Sequence, residues 1–348
     1  CIRDSLHAGQ KYKYYKLVFA GDKIMMKRII LILAIIFSVK SYSQDPAFTQ
    51  SFMVPESINP SFSGFYETTK AGLLYKNQQW SGFDFNLNSQ YLYFDDWYPD
   101  LNSGVGISLM NHQETFTNYS LKQLNLSWAY KVQINYEWDF RPSVTFGFAT
   151  KDFGFDNLLF EDQINIFQNI INSNTFDPIV LGENARYVDI GASFLFNNDN
   201  HWIGITLRHL NRPNVSMVSQ GDIPLDIFIS VHASLELPIL QYNSDSSVYF
   251  ITNFMKQAKY DRFDLGFQYV FDRFSFALTA TTNPIQTENE SHLVTSINPI
   301  IGMAWEGFKF GYSYDFNLSK IGGDGGISEF SITYDFLNNK DCFGCPEY

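Results

Sequence analysis

A strict alternation of apolar and polar positions runs through much of this chain. In Gln123–Trp138 every even-numbered residue from Leu124 onward is apolar, and the odd-numbered positions are mostly polar. A period of two predicts a β-strand with one apolar face and one polar face. Because strands in soluble domains usually end after about five or six residues, a strand of this length needs an apolar environment over its outer face.

The same alternation recurs about fourteen times, and the connections between these segments differ in length. Those after even-numbered strands are mostly short and those after odd-numbered strands are mostly longer, which is typical of outer-membrane barrels with short periplasmic turns. The sequence therefore predicts an all-β, antiparallel, transmembrane outer-membrane β-barrel of about 14 strands, with periplasmic N- and C-termini. The predicted strands are residues 70–79, 86–94, 103–112, 120–137, 140–151, 186–196, 202–210, 225–237, 247–256, 262–271, 274–282, 292–305, 308–317 and 327–336.

The composition agrees with a barrel whose apolar side chains face lipid. The chain is 45% hydrophobic and only 17% charged, against about 25% charged residues in a typical soluble domain. No run in the body of the chain reaches the roughly 18 apolar residues of a membrane-spanning helix. The net charge of −12 and the lack of a basic stripe argue against a nucleic-acid partner.

The start of the chain resembles an export signal. Met26–Arg28 is basic and is followed by the apolar stretch 29–39, which predicts a signal peptide at residues 26–43 that is cleaved after Ser43. An N-terminal anchor helix is the alternative, although this apolar stretch is shorter than a bilayer requires. Residues 1–25, which do not begin with Met, are interpreted as an upstream translation artefact.

Two segments depart from the strand pattern. Residues 44–66 contain three prolines and are predicted to be an irregular segment at the periplasmic mouth or inside the lumen, before the barrel at 67–337 and a periplasmic tail at 338–348. In the long loop, apolar residues within 158–171 have helix-like spacing, which predicts a short amphipathic helix on the outer mouth. A disordered loop is the alternative there.

Candidate chemistry is sparse. His232 and Glu236 would both face the lumen, but no nucleophile motif accompanies them, so no catalytic site and no enzyme activity are predicted. Cys342 and Cys345 could form a local disulfide in an oxidising envelope, belong to an inert tail, or contact a partner or metal; two thiols are too few for a closed zinc site. The glycine-rich stretch 321–328 could be a calcium loop or simply flexible. No cofactor is predicted.

Four stretches of the chain carry distinctive motifs. The predicted mature start contains Gln44, Asp45, Pro46, Gln50, Asn59, Pro60, Ser63 and Gly64, and LLYKNQQW contains Lys76 and Trp80. The barrel ends with GYSYDFNLSKI…ISEFSITYDF, and the tail contains the Cys345-Pro346 pair. These stretches resemble the opening, the Tyr-Arg-x-Gln-Trp motif, the closing hairpin and the tail of the PorP/SprF family of Bacteroidota outer-membrane proteins, which is associated with type IX secretion. Lys76 stands where that motif has Arg, and an extra Gln precedes Trp80.

The resemblance implies an outer-membrane component of type IX secretion or gliding. Its expected partners are outer-membrane lipid, the periplasmic and outer-membrane secretion machinery, and a large secreted surface adhesin whose export or attachment it supports. The alternative is a porin-like channel for small solutes, cations included, because the lumen would be acidic; an outer-membrane enzyme is a third option. The residues expected to contact partners are Gln44, Asp45, Pro46, Asn59, Pro60, Gly64, Trp80, Phe160, Ile166 and Phe167.

Overall fold

The computed structural model describes most of the chain after residue 44. The described residues are 45–79, 86–154, 161–165, 170–171, 184–217, 221–238, 246–284, 294–318 and 326–336. No helix among them is long and apolar enough to cross a bilayer.

Fourteen long strands form one closed sheet. Each strand pairs antiparallel with the next, and β1 pairs with β14 in a continuous register from Thr69↔Phe336 to Gln78↔Ile327, which closes the ring. The predicted closed antiparallel barrel of about fourteen strands is therefore confirmed. The strands are β1 Thr69–Gln79, β2 Asn86–Tyr98, β3 Ser103–Glu114, β4 Ser120–Tyr130, β5 Asp139–Asp152, β6 Ala185–Asn197, β7 His201–Arg208, β8 Phe228–Leu237, β9 Ser246–Gln257, β10 Tyr260–Phe271, β11 Phe274–Thr282, β12 Ser296–Trp305, β13 Phe308–Asn317 and β14 Ile327–Phe336.

The alternation along the strands separates an apolar outside from a polar inside. One cross-strand row on the outside of β2–β6 is entirely apolar and 39–55% exposed, and consists of Leu92, Leu109, Leu124, Phe148 and Val188. Inward positions carry buried polar residues, such as Asp264, Asp315 and Glu329. Closure is physically required, because an open edge would leave backbone groups unpaired in hydrocarbon.

The two ends of the barrel differ in their connections. At one end, here called the turn end, most links are short, as at 99–102, 198–200, 272–273 and 306–307. At the opposite end, called the loop end, the links are mostly longer, and the longest is 153–184. β1 begins and β14 ends at the turn end.

The long strand predicted across Gln123–Trp138 is wrong in its second half. β4 ends at Tyr130, and the chain then turns back into β5, with only Val132–Gln133 paired to the start of β5. Asn135 accepts the N–H groups of Glu137 and Trp138 at 2.9 and 2.8 Å. Local side-chain capping of this kind favours a turn. The alternation of apolar residues continues through this turn, so the pattern alone predicted a longer strand. Trp128 remains on the outer face, 49% exposed.

The helix predicted within 158–171 is also wrong for its described part. Ile164–Asn165 and Ile170–Ile171 are short strands that pair antiparallel with each other. β-branched isoleucine favours strands, and here that preference outweighs the helix-like spacing of apolar residues.

Candidate functional site

The lumen of the barrel holds the segment that precedes β1. Residues 45–66, here called the plug, form three short 3-10 turns at Thr49–Phe52, Pro55–Ser57 and Pro60–Phe62. Proline fixes φ near the value that a turn needs and has no N–H to satisfy, which explains why two of the turns begin at proline. Asn59 caps the third turn by accepting the N–H of Ser61 at 2.8 Å.

The plug starts at the loop end. The carboxylate of Asp45 lies 3.1 Å from Nε2 of His209 and 3.5 Å from the guanidinium of Arg208. The backbone N–H of Asp45 donates to the side-chain oxygen of Gln257 at 2.8 Å. Arg208 and Gln257 are the loop-end residues of β7 and β9. For the described residues, this differs from the expectation that the mature chain starts at the end with the short turns.

The Asp45–His209 contact is a charged pair. Burial lowers the pKa of His209, but the carboxylates of Asp45 and Asp189 outweigh it and raise that pKa from 6.5 to about 10. Burial raises the pKa of Asp45, yet His209 and Arg208 hold it well below its usual range. Since His209 also contacts Asp189 at 2.9 Å, a protonated imidazole joins the plug to the wall.

A second anchor near the loop end centres on Glu329. Its carboxylate accepts the backbone N–H groups of Thr49 and Gln50 at 2.9 to 3.0 Å. It also lies 3.5 Å from the ammonium of Lys76, which donates to the carbonyl of Ala47 at 2.6 Å. Lys76, from the LLYKNQQW motif, therefore connects the residues before the first turn of the plug with Glu329, its cross-strand neighbour on β14.

In the middle of the lumen, polar side chains hold the plug. The amide of Asn59 is fully buried and lies 3.0 Å from Nε2 of His232, whose Nδ1 lies 3.0 Å from the hydroxyl of Ser230. Glu236 instead accepts the hydroxyl of Ser247 at 2.7 Å. His232 and Glu236, considered as an acid–base pair from the sequence, are thus engaged with different partners.

Arg141 fastens the plug near the turn end. Its guanidinium donates to the carbonyls of Ser61 and Ser63 at 3.2 and 3.0 Å, and lies 5.5 Å from the ring of Phe65 and 5.3 Å from that of Trp97. The side chain is 1% exposed. A guanidinium suits this position because it donates in several directions and stacks on aromatic rings.

Gly64 lies where the plug passes close to the wall. It has φ of +64°, and its N–H donates to Asp95 at 3.0 Å. A Cβ on Gly104 of β3 would lie 1.9 Å from the carbonyl oxygen of Ser63. The plug and β3 can approach this closely only because both positions are glycine.

Two cavities lie beside the plug and at the turn end in the described part of the chain. A cavity of about 60 Å³, lined by Glu56, Asp95 and Asp189 among others, is left beside β2–β6. A larger cleft of about 680 Å³ opens at the turn end, next to Lys131 and Tyr136. In this conformation the plug spans the lumen from Asp45 at the loop end to the turn end.

The structure brings together some of the residues predicted from the sequence. Asp45, Pro46, Asn59, Pro60 and Gly64 all belong to the plug. The remaining predicted residues lie outside the described residues: Gln44, Trp80, Phe160, Ile166, Phe167, Cys342 and Cys345. Among the described residues, no group of three or more His, Cys, Asp and Glu side chains is arranged to hold a metal ion.

The sequence reasoning missed the anchors Arg141, Arg208 and His209. A signal was present for Arg141, because it shares the inward face of β5 with the buried Ser143. A cation at an inward position of a barrel strand requires a partner inside the lumen.

A closed, lipid-facing antiparallel barrel with a polar lumen filled by its own chain defines an outer-membrane β-barrel protein. A family model described as "Type IX secretion system membrane protein PorP/SprF" matches residues 40–334. The chain belongs to this family, and so is a type IX secretion outer-membrane barrel, as the sequence motifs predicted.

Solved structures show similar but distant barrels. The outer membrane protein Omp33 of Acinetobacter baumannii is 6% identical, with a TM-score of 0.43 over 78% of this chain and 98% of its own. A TodX monoaromatic hydrocarbon channel mutant is 8% identical (TM-score 0.46, 85% and 96% covered), and the CymD monoaromatic hydrocarbon channel is 13% identical (0.44, 84% and 94%). Nothing about function follows from similarities at this level. No curated protein matches the sequence.

Proposed function

We propose that this barrel is a non-catalytic component of type IX secretion that supports export or surface attachment of a large secreted adhesin through protein–protein contacts. The plug is the observation that supports this role best. Anchors at Asp45, Glu329, Asn59 and Arg141 hold it from the loop end to the turn end. A lumen filled in this way suits a scaffold better than a permanently open pore.

The described lumen also gives little support to catalysis. His232 is fully buried and lies against Asn59 and Ser230, and Glu236 accepts a hydrogen bond from Ser247. A general base must reach the proton it removes, and both candidate groups are already engaged within the barrel. The polar lumen therefore serves to bind the plug in this proposal.

The proposal assigns the two ends to different partners. Outer-membrane barrels have short turns on the periplasmic side, so the turn end would meet the secretion machinery, after export directed by a signal cleaved behind Ser43. The cleft near Lys131 and the fully exposed Tyr136 are the candidate contact there. The loop end, where Asp45 lies, would meet the adhesin, and the tail with Cys342 and Cys345 would contribute on the machinery side.

Gene deletion and complementation test this role. Deletion should abolish surface display of one or a few large secreted proteins while uptake of small solutes continues. Complementation with Tyr136→Ser should reduce display if the turn-end cleft binds the machinery, whereas Asp272→Asn, an exposed change in another short turn, should leave display normal. Normal display in the deletion strain would refute the role.

Conductance of the purified barrel in planar bilayers separates the scaffold from the channel for small solutes. A plugged barrel should remain closed at neutral pH. A steady, cation-selective current from the intact protein would favour the channel.

A further inference from the structure

The outward face of the described strands carries few lysines and arginines, here called its basic residues, and all lie at the loop end. Lys122 of β4, Arg186 of β6 and Lys256 of β9 are exposed and occupy outward positions near the loop-end limit of their strands. The other lysines and arginines of the described strands point into the lumen, as Lys76 and Arg141 do. Outward basic residues are thus confined to one rim of the barrel.

The strand register places two of these residues on a polar row. Cross-strand pairing aligns outward residues of five neighbouring strands: Gln90, Asn111, Lys122, Thr150 and Arg186.

Immediately towards the turn end lies the apolar row that begins with Leu92 and ends with Val188. On all five strands, the outward residue of the apolar row and the polar or basic outward residue nearest to it are only two positions apart. This change from apolar to polar marks the loop-end border of the lipid-facing band, where lipid headgroups begin.

Lys122 and Arg186 can reach one small anion together. Both pair with Thr150, on opposite sides of β5. Since neighbouring strands lie about 4.8 Å apart, their backbones are about 10 Å apart, and two long side chains readily close that distance. Within the described part of the chain, neither side chain forms a salt bridge.

We propose that Lys122 and Arg186 bind the phosphate group of a phosphorylated lipid in the outer leaflet. A guanidinium fork and an ammonium suit phosphate oxygens, and the hydroxyl of Thr150 between them can donate to the same group. Leu124, Phe148 and Val188 lie on the adjacent row. The acyl chains of the bound lipid pack against this row, which favours a lipid-borne phosphate over a free one.

Binding of bisphosphorylated lipid A to the full-length protein in detergent, measured by native mass spectrometry, tests this site. The double variant Lys122→Gln/Arg186→Gln should bind about 10- to 30-fold more weakly, since each basic residue near an anionic surface contributes about fivefold. The control Arg273→Gln, exposed in a turn-end connection, removes one positive charge, as each single variant does, and should bind like the parent. Dephosphorylated lipid A should bind the parent and the double variant equally weakly.

Three results would overturn the proposal. They are unchanged affinity in the double variant, an equal loss in the control, and equal competition by inorganic phosphate at matched concentration, which would indicate a soluble-anion site. Folding of each variant is checked by heat-dependent mobility on gels. If the double variant does not fold, the single variant Lys122→Gln serves in its place, with an expected loss of about fivefold.

Discussion

Substitution of Glu329 by glutamine should loosen the plug. The change leaves one carbonyl oxygen for the N–H groups of Thr49 and Gln50 and replaces the other oxygen with a donor. It also removes the buried negative charge 3.5 Å from Lys76. Lys76 and Glu329 are cross-strand neighbours in the wall, so their ion pair remains when the plug leaves and does not enter the cost of releasing it. A hydrogen bond to a charged group contributes about 1.5–3 kcal/mol. Weakening the bonds from the N–H groups of Thr49 and Gln50 should therefore cost about 3 kcal/mol.

A loss of about 3 kcal/mol should raise the population of displaced plug about a hundredfold, since each 1.4 kcal/mol is a factor of ten. In planar bilayers the parent should be silent, and Glu329→Gln should show intermittent openings. Limited proteolysis within residues 45–66 should accelerate in parallel. The control Glu306→Gln lies in an exposed turn and should behave like the parent. A folded Glu329→Gln barrel that is as silent and as protease-resistant as the parent would refute the anchoring role of Glu329.

Further changes test other parts of the plug. Because the pKa of His209 is raised from 6.5 to about 10, its stabilisation of the plug is complete below pH 6.5 and is lost as the pH rises through about 10; channel openings should increase there, and His209→Asn should abolish that pH dependence. Arg141→Gln should lower stability to thermal unfolding in detergent by about 3 kcal/mol, because two buried carbonyls lose a charged donor. Gly64→Ala should also destabilise the folded barrel, since a Cβ would lie 2.8 Å from Cα of Gly104 and φ is positive. An alanine substitution of an exposed turn residue other than glycine should leave thermal stability unchanged. An epitope inserted directly before Asp45 should be accessible to antibody on intact cells, and accessibility only after permeabilisation would contradict a loop-end start.

The strands could be predicted from the sequence because a strand with one apolar and one polar face requires apolar and polar residues to alternate along the chain. The exposed Leu124 and Leu126 and the buried Asp264 and Glu329 lie on the faces that their parity predicts. Prediction failed where local geometry overrides the pattern, as at Asn135, which caps a turn inside an alternating stretch.

The path of the plug could not be predicted in the same way. Its 3-10 turns have no periodic signal, and its contacts join distant parts of the sequence, such as Thr49 and Glu329, 280 residues apart. The prolines indicated an irregular segment, and the motif containing Lys76 indicated family membership. Neither indicates that this lysine donates to the carbonyl of Ala47 inside the lumen.

The position of the plug has a consequence for biogenesis. The plug precedes every strand in the chain and is therefore synthesised before them, yet it lies at the centre of the ring. Threading the plug through a finished cylinder would move Asp45 past Arg141 and Lys70 before it reaches His209. Its carboxylate would lose its bound water on the way without gaining a stable partner. We therefore expect the wall to assemble around its own leading segment, so that pairing of β1 with β14 is the last step and seals it inside.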